Sequence, residues 1–297
     1  MSMDVARYLK ERAAAVDEAL ERLLPPETTP PETIHKAMRY SVFAGGKRLR
    51  PVLVIAGAEA VGGSMDRVMP AACAMECIHT SSLVHDDLPA MDNDDFRRGM
   101  PTNHKVFGEA MAILAGDGLL TLAFGLLAEA FADGGDPAAL RQVLADLTEA
   151  AGTRGMVGGQ VADIEAEGRP ATAESVDYIH RHKTAALIRT SLRVGATICG
   201  ATAAQREALG VAGGAIGLAF QIVDDLLDVE ATSEQLGKTA GKDQAQQKAT
   251  YPAVHGLEAS RRRAAELVAE AERALAPLGA PAEPIRALAR FVLERKA

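Results

Sequence analysis

Apolar positions along the chain recur every three or four residues and are punctuated by proline and glycine, a period that fits one face of an α-helix. Pro25-Pro26 and Pro30-Pro31 separate a first amphipathic segment from a second, and Asp133-Gly134-Gly135-Asp136-Pro137 predicts an interhelix turn. Pro51 and Pro70 are each placed to open a helix, because a first turn tolerates proline's fixed φ and missing N–H. Helical patterning continues over 138–165, 173–200 and 205–228, and again over 252–277 and 281–296. No strand alternation, repeat or interdomain linker interrupts the 297 residues, so a single all-α domain is expected. The one long polar stretch, Glu230 to Thr250, is rich in Gly, Gln and Lys and reads as a loop; loops of that length are commonly functional.

Composition supports helices: Ala and Leu dominate, aromatic residues make up 4% and Trp is absent, and unbranched side chains lose little rotamer freedom in a helix. A net charge of −8 without a basic stripe argues against nucleic acid as a partner. The most apolar stretch, Ala110 to Ala128, contains Asp117 and several glycines, which predicts a buried bundle helix and no membrane span. Met1 to Lys10 carries Asp4, Arg7 and Lys10 and lacks the apolar core of a secretory signal. Cys73, Cys77 and Cys199 have no metal-binding or redox spacing, and their apolar neighbours suit a reducing, cytoplasmic compartment.

Two aspartate clusters change the picture from fold to chemistry. Asp86-Asp87-Leu88-Pro89-Ala90-Met91-Asp92 and Asp224-Asp225-Leu226-Leu227-Asp228 each end an apolar helical segment. Carboxylates crowded at the mouth of an apolar bundle repel one another unless cations intervene, and an oxygen-only ligand set suits Mg²⁺, usually completed by substrate phosphates. Gln221, Asp224, Asp225 and Asp228 share one helix face, and so do His79, Ser82 and Asp86. Pro89 disfavours helix at Leu88, so the following residues should turn and bring Asp92 back toward Asp86. A solvated acidic helix end is the plain alternative for the second cluster, against which its apolar neighbours argue. The EF-hand spacing is absent, which disfavours calcium of that type.

Basic residues lie close by. Arg97 and Arg98 can fork onto phosphate oxygens, or bridge locally to Asp94 and Asp95. In Gly45-Gly46-Lys47-Arg48-Leu49-Arg50-Pro51, two glycines permit close backbone approach and three cations follow at once, which suits a phosphate as well as a solvated turn. Neither this run nor Leu236-Gly237-Lys238-Thr239 has the spacing of a Walker loop, so nucleotide hydrolysis is not expected.

These runs, with Lys183-Thr184, Gln221 through Asp228 and Gly237-Lys238, occur in one order along nearly the whole chain, and in that order the sequence closely resembles short-chain trans-isoprenyl diphosphate synthases, the farnesyl and geranylgeranyl diphosphate synthase group. The resemblance implies one polyprenyl synthase domain over 1–297, a helical bundle around a deep apolar cavity, a homodimer, and head-to-tail condensation of isopentenyl diphosphate with dimethylallyl, geranyl or farnesyl diphosphate. It further implies that Asp86, Asp87, Asp92, Asp224, Asp225 and Asp228 hold three Mg²⁺ on the allylic diphosphate, assisted by Arg97, Lys183, Thr184, Gln221 and Lys238. Lys47, Arg50, His79 and Arg98 would hold the diphosphate of isopentenyl diphosphate, and Lys248 would help a gating loop that excludes water.

Ser81 and Ser82 stand one helical turn, about 5.4 Å, below the first cluster, where side chains can act as a floor to the growing tail. Farnesyl-producing relatives usually carry an aromatic residue there, so two serines imply a longer, twenty-carbon product, with a farnesyl diphosphate synthase as the alternative. The two-residue insertion containing Pro89 occurs in both groups and does not decide. A terpene cyclase would normally replace the second aspartate cluster and has no need of Lys47, Arg50 and His79. A non-catalytic subunit of a heteromeric synthase would usually have lost the aspartates.

Overall fold

The structure, a computed structural model, describes residues 3–132, 134–230 and 250–295. Its helices are α1 (Val5–Leu23), α2 (Glu32–Val42), α3 (Leu49–Glu59), α4 (Met65–Asp86), α5 (Asn103–Phe107), α6 (Glu109–Glu129), α7 (Pro137–Ala151), α8 (Met156–Ala166), α9 (Ala173–Ile179), α10 (Ala186–Ile198), α11 (Ala203–Glu230), α12 (Tyr251–His255), α13 (Leu257–Leu275) and α14 (Glu283–Glu294). A π-helical segment, His180–Ala185, joins α9 to α10 without a break in the helical path.

Helix α10 is central because it serves both halves of the core. Its Leu187 belongs to the apolar cluster that also holds Leu20, Ile55, Met75, Leu119 and Leu127, while Ile188 and Leu192 belong to a second cluster with Leu209 and Ile216 of α11 and the buried residues of α13 and α14. Small residues let α3 come close to it: a side-chain carbon added at Gly57 would sit 2.2 Å from the Leu192 carbonyl oxygen, and one at Gly195 would sit 1.8 Å from that of Val54. Either substitution would push the helices apart.

The all-α expectation holds, with local departures. Pro70 does not open α4, which begins at Met65 behind Ser64 with Asp66 in its first turn, where the helix dipole favours an acidic side chain. Pro70 sits inside the helix and withholds one N–H from the ladder. The expected segment 138–165 is divided into α7 and α8, since the chain turns at Gly152 and Gly155. Likewise Gly256, at φ 81°, divides 252–277 into α12 and α13, a backbone angle that glycine adopts without strain.

Contrary to the reading of no strands, Phe96–Arg97 (β1) and Met100–Pro101 (β2) pair as an antiparallel hairpin two residues long on each side. Arg98 and Gly99 at its tip have φ 54° and 78°, the left-handed pair that a tight two-residue turn demands. So short a hairpin leaves no alternation for sequence reading to detect.

Two helices, α6 and residues Ala203–Val229 of α11, are long and apolar enough to cross a membrane by length and composition alone. The α11 segment is mostly enclosed by the bundle. Contrary to the expected buried helix, α6 buries one face only, with Ala115, Leu119 and Ala123 against the core, and exposes Ile113, Leu114, Leu120 and Phe124. The three cysteines are free thiols, and burial pushes Cys73 up to about 12, which makes it an unreactive packing residue.

Candidate active site

The first aspartate cluster is built by the end of α4 and the turn that follows it. Asp86 is the last helical residue and Asp87 caps the helix. The chain then folds back as the sequence predicts: the Asp92 N–H donates to the Asp86 carbonyl at 2.8 Å and the Asp94 N–H to that of Asp87 at 3.2 Å. Asn93, at φ 50°, takes the left-handed turn. Burial, reinforced by the charges of Asp92 and Asp87 and opposed by Lys183 and Arg97, raises the Asp86 carboxyl to about 6.

The hairpin sends its two arginines to different partners. Arg97 chelates Asp87, with Nε 2.8 and 3.0 Å from the two carboxylate oxygens and Nη2 2.6 Å from Oδ1. Arg98 donates to the carbonyl of Gly45 and lies over Gly46, where a side-chain carbon would meet its guanidinium at 2.5 Å. Local bridging of these arginines to Asp94 and Asp95, the alternative reading, is not the arrangement found; Lys105 pairs with Asp95 instead, at 2.9 Å.

The basic run before α3 divides by function. Arg48, at φ 49°, is buried and structural, paired with Glu76 at 2.8 Å and Asp17 at 2.7 Å and donating to the Val42 carbonyl. Arg50 turns the other way and places Nη1 3.1 Å from Nε2 of His79 on α4. Burial lowers Arg50 to about 10. His79 is held well below its usual range, first by burial and then by the charges of Arg50, Arg98 and Arg97. Burial also lowers Lys47, helped by Arg295 and resisted by Asp224. The structure thus brings Arg50, His79 and Arg98 into one electropositive neighbourhood, while Lys47 lies within electrostatic reach of Arg295 and Asp224.

Helix α11 supplies the second cluster. Gln221 accepts from the Thr184 hydroxyl at 2.8 Å and donates to Asp225 at 3.0 Å. The other Asp225 oxygen takes the Tyr251 N–H at 2.8 Å and lies 3.2 Å from Nε2 of His180. Asp228 is buried, and Asp224 pairs with Arg295 at 2.6 Å. Arg295 also stacks on Phe220 at 4.3 Å, so the C-terminal segment reaches the site. Lys183 donates to Asp163 of α8 at 2.6 Å and lies within electrostatic reach of Asp86, which links the first cluster to the helices that carry the second.

Two of these contributors, His180 and Asp163, were missed from sequence, and whether Arg295 reaches the site was left open there. His180 and Asp163 flank Lys183-Thr184 in space but stand apart from the aspartate runs, and no spacing singles them out. The C-terminal Arg295 is distant in sequence from everything it touches. Lys238 and Lys248, and residues 231–249 of the loop expected between Glu230 and Thr250, lie outside the described residues. Ser81 is buried and Ser82 half-buried; each hydroxyl donates to the carbonyl three residues earlier at 2.8 Å, so both side chains lie close against α4.

Among the described residues no three carboxylate, imidazole or thiol groups converge on one point as a ready metal cage. The carboxylates are compensated by protein cations, Arg97 on Asp87 and Arg295 on Asp224. The donor set nevertheless fits a hard cation: oxygen ligands only, with the half-buried Asp86 held near 6 by desolvation and by carboxylate neighbours. A cavity of about 30 Å³ lies against Asp87, Arg97 and Arg98, too small for a prenyl tail. A deep apolar cavity is not shown among the described residues.

Residues 31–276 match the family described as Polyprenyl synthetase. The chain is 48% identical to a chloroplastic geranylgeranyl pyrophosphate synthase of Capsicum annuum over 97% of its own length and 78% of the relative's. It is also 48% identical to a farnesyl diphosphate synthase of Geobacillus stearothermophilus, over 92% of each. The crystal structure of a geranylgeranyl pyrophosphate synthetase from Pyrococcus horikoshii superposes with a TM-score of 0.88 at 33% identity, covering 98% of both chains. Sequence, fold and the order of the aspartate and basic segments converge on one assignment, and the chain belongs to the polyprenyl synthetase family.

Proposed function

We propose that the protein is a trans-prenyltransferase that condenses isopentenyl diphosphate head-to-tail with an allylic diphosphate and stops at geranylgeranyl diphosphate. The observation that carries this reading is the half-buried Arg50–His79 pair, set with Lys47 and Arg98 beside two carboxylate clusters in a protein of net charge −8. Such a pairing serves two diphosphates of which only one needs metal.

Asp86, Asp87 and Asp92 on one side and Asp224, Asp225 and Asp228 on the other would hold Mg²⁺, three ions in the family. Bound there, Mg²⁺ neutralises the allylic diphosphate. Arg97 and Lys183 stabilise the negative charge that develops as the allylic C–O bond breaks, more than they stabilise the intact substrate. Arg97 must then exchange its hold on Asp87, and Lys183 its hold on Asp163, for phosphate oxygens. Thr184 and Gln221 fix the orientation of Asp225 through one hydrogen-bond chain. Lys47, Arg50, His79 and Arg98 present isopentenyl diphosphate so that its double bond attacks the allylic cation, and a proton then leaves with the diphosphate. Lys238 and Lys248 complete the proposed set.

The prenyl tail would run from Asp86 along α4, past Ser82 and Ser81, toward apolar α6. Serines at these positions support a twenty-carbon product, while the 48% identity to a farnesyl diphosphate synthase keeps fifteen carbons as the second reading. The exposed Ile113, Leu114, Leu120 and Phe124 of α6 support a homodimer that covers this face. Three free cysteines support a reducing, cytoplasmic setting.

The test is incubation with Mg²⁺, radiolabelled isopentenyl diphosphate and each allylic primer in turn, with products resolved by chain length. Twenty-carbon product is expected; fifteen-carbon product selects the second reading, and no condensation with any primer removes both.

A further inference from the structure

The crevice between α7, the π-helical segment, α10 and α11 is unlike the rest of an acidic protein. A cavity of about 230 Å³ there is lined by Arg154, Arg181, Arg189 and Arg193 against only two carboxylates, Asp146 and Glu149. Arg189 and Arg193 stand four apart on α10, a like-charge spacing that works against the helix. Two of the guanidinium groups are already committed: Arg193 to Asp146 at 3.0 and 3.1 Å, and Arg181 to Asp177 at 2.5 Å. Arg154 and Arg189 make no hydrogen bond or ion pair among the described residues, and both line the cavity.

The remaining lining indicates what would fit. Thr190 borders the cavity with a hydroxyl, and a side-chain carbon added at Gly214 would meet nothing within 4 Å. The apolar lining consists of small residues, Ala150, Ala185 and Ala186, which offer no greasy channel for a long tail. Paired planar guanidinium forks match the oxygens of phosphate and diphosphate. We propose that this crevice is a second oxyanion site, separate from the aspartate clusters, that binds phosphate or diphosphate through Arg154 and Arg189.

Its position gives binding a consequence that rests on the function proposed above. Arg181 and His182 immediately precede Lys183 and Thr184 in the π-helical segment. A side-chain carbon added at Gly159 would lie 2.2 Å from the Lys183 nitrogen, and one at Gly217 2.6 Å from the Ala185 Cα, so α8 and α11 clamp this backbone closely. An anion that draws on Arg181 or Arg189 acts on the segment that positions Lys183.

Calorimetric titration without divalent metal tests the site. Inorganic phosphate, inorganic diphosphate and dimethylallyl diphosphate are each titrated into the wild-type protein, Arg154→Ser/Arg189→Ser and Lys47→Ala/Arg98→Ala. One equivalent of inorganic diphosphate should be lost, or weakened at least tenfold, in the first variant and retained in the second. Equal stoichiometry and affinity in wild type and Arg154→Ser/Arg189→Ser overturns the site. Should that variant fail to fold, Arg154→Lys/Arg189→Lys keeps the charge without the fork and must still weaken binding several-fold, or the proposal falls. Equal binding of dimethylallyl diphosphate supports the site with a prenyl diphosphate head as its source, and binding of the inorganic anions alone supports it with a free anion. Condensation is assayed separately, so its absence leaves the binding result standing, whereas identical diphosphate inhibition of wild type and Arg154→Ser/Arg189→Ser overturns the coupling to Lys183.

Discussion

Nη1 of Arg50 lies 3.1 Å from Nε2 of His79, two half-buried basic groups in direct contact. A guanidinium can only donate, so Nε2 must accept, and His79 is neutral with its proton on Nδ1. That is the protonation state expected of a ring within electrostatic reach of three further arginines, Arg98, Arg97 and Arg48. The pair holds one cation and one uncharged ring ready for an anion.

This contact makes a stability prediction with a definite sign. In the folded protein His79 titrates well below its unfolded value of 6.5, so no penalty exists above that value. As pH falls below about 6.5 the unfolded chain takes up a proton that the folded chain resists, and stability is lost progressively toward the folded pKa. Thermal melts of wild type and His79→Gln between pH 8 and pH 5 should therefore show the wild type losing more stability on acidification. Parallel curves would mean that His79 is charged in the fold.

Arg97 should be a large contributor to rate. Replacement by Ala removes a bidentate donor from the leaving diphosphate, and loss of one such donor typically lowers kcat by about 10²-fold or more. Arg97→Lys should recover only part of this, because an ammonium cannot reproduce the fork that grips Asp87. Steady-state kinetics with saturating isopentenyl diphosphate separates the two variants.

Lys183 and Asp163 form a second checkable pair, at 2.6 Å. Lys183→Ala should depress kcat by about 10²-fold, as loss of a charge that stabilises the departing group. Asp163→Asn leaves that charge in place and should cost no more than about tenfold. If Asp163→Asn proved as damaging as Lys183→Ala, Asp163 would have to touch substrate itself.

Product length is tested below the first cluster. Ser81→Phe should shorten the product from twenty to fifteen carbons. Since Ser81 is buried, with 4% exposure, the added ring should also lower stability, by about 1–3 kcal/mol as in other overpacked cores. Chromatography of the products, with a thermal melt on the same sample, reads both effects. Unchanged chain length with lowered stability would place the floor elsewhere.

The Arg295–Asp224 pair predicts a role for the C-terminal segment. Arg295→Ala removes both this ion pair and the stack on Phe220. The KM for isopentenyl diphosphate should rise more than kcat falls, because Arg295 lies within electrostatic reach of Lys47. A fall in kcat alone would assign Arg295 to ionisation.

Much of this was legible in the amino-acid sequence, for a physical reason. The α4 and α11 face residues are set by helical period, so His79 with Asp86, and Gln221 with Asp224, Asp225 and Asp228, follow from counting. Pro89, which disfavours helix at Leu88, sufficed to predict that Asp92 folds back on Asp86. These are local effects, written in neighbouring residues.

What only the tertiary structure decided was which equivalent-looking charge goes where. Lys47, Arg48 and Arg50 read alike in sequence, yet Arg48 turns inward to Glu76 and Asp17, whereas Arg50 meets His79. Arg97 and Arg98 separate because a two-residue turn with positive φ points them to different partners, Asp87 and the Gly45 carbonyl. His180, Asp163 and Arg295 became site neighbours through contacts between segments 20 to 71 residues apart, and the arginines of the α7–α10 crevice were gathered in the same way. Helical period fixes which residues share a face; the packing of one helix on another fixes which faces meet, and burial then decides which charges must find a partner.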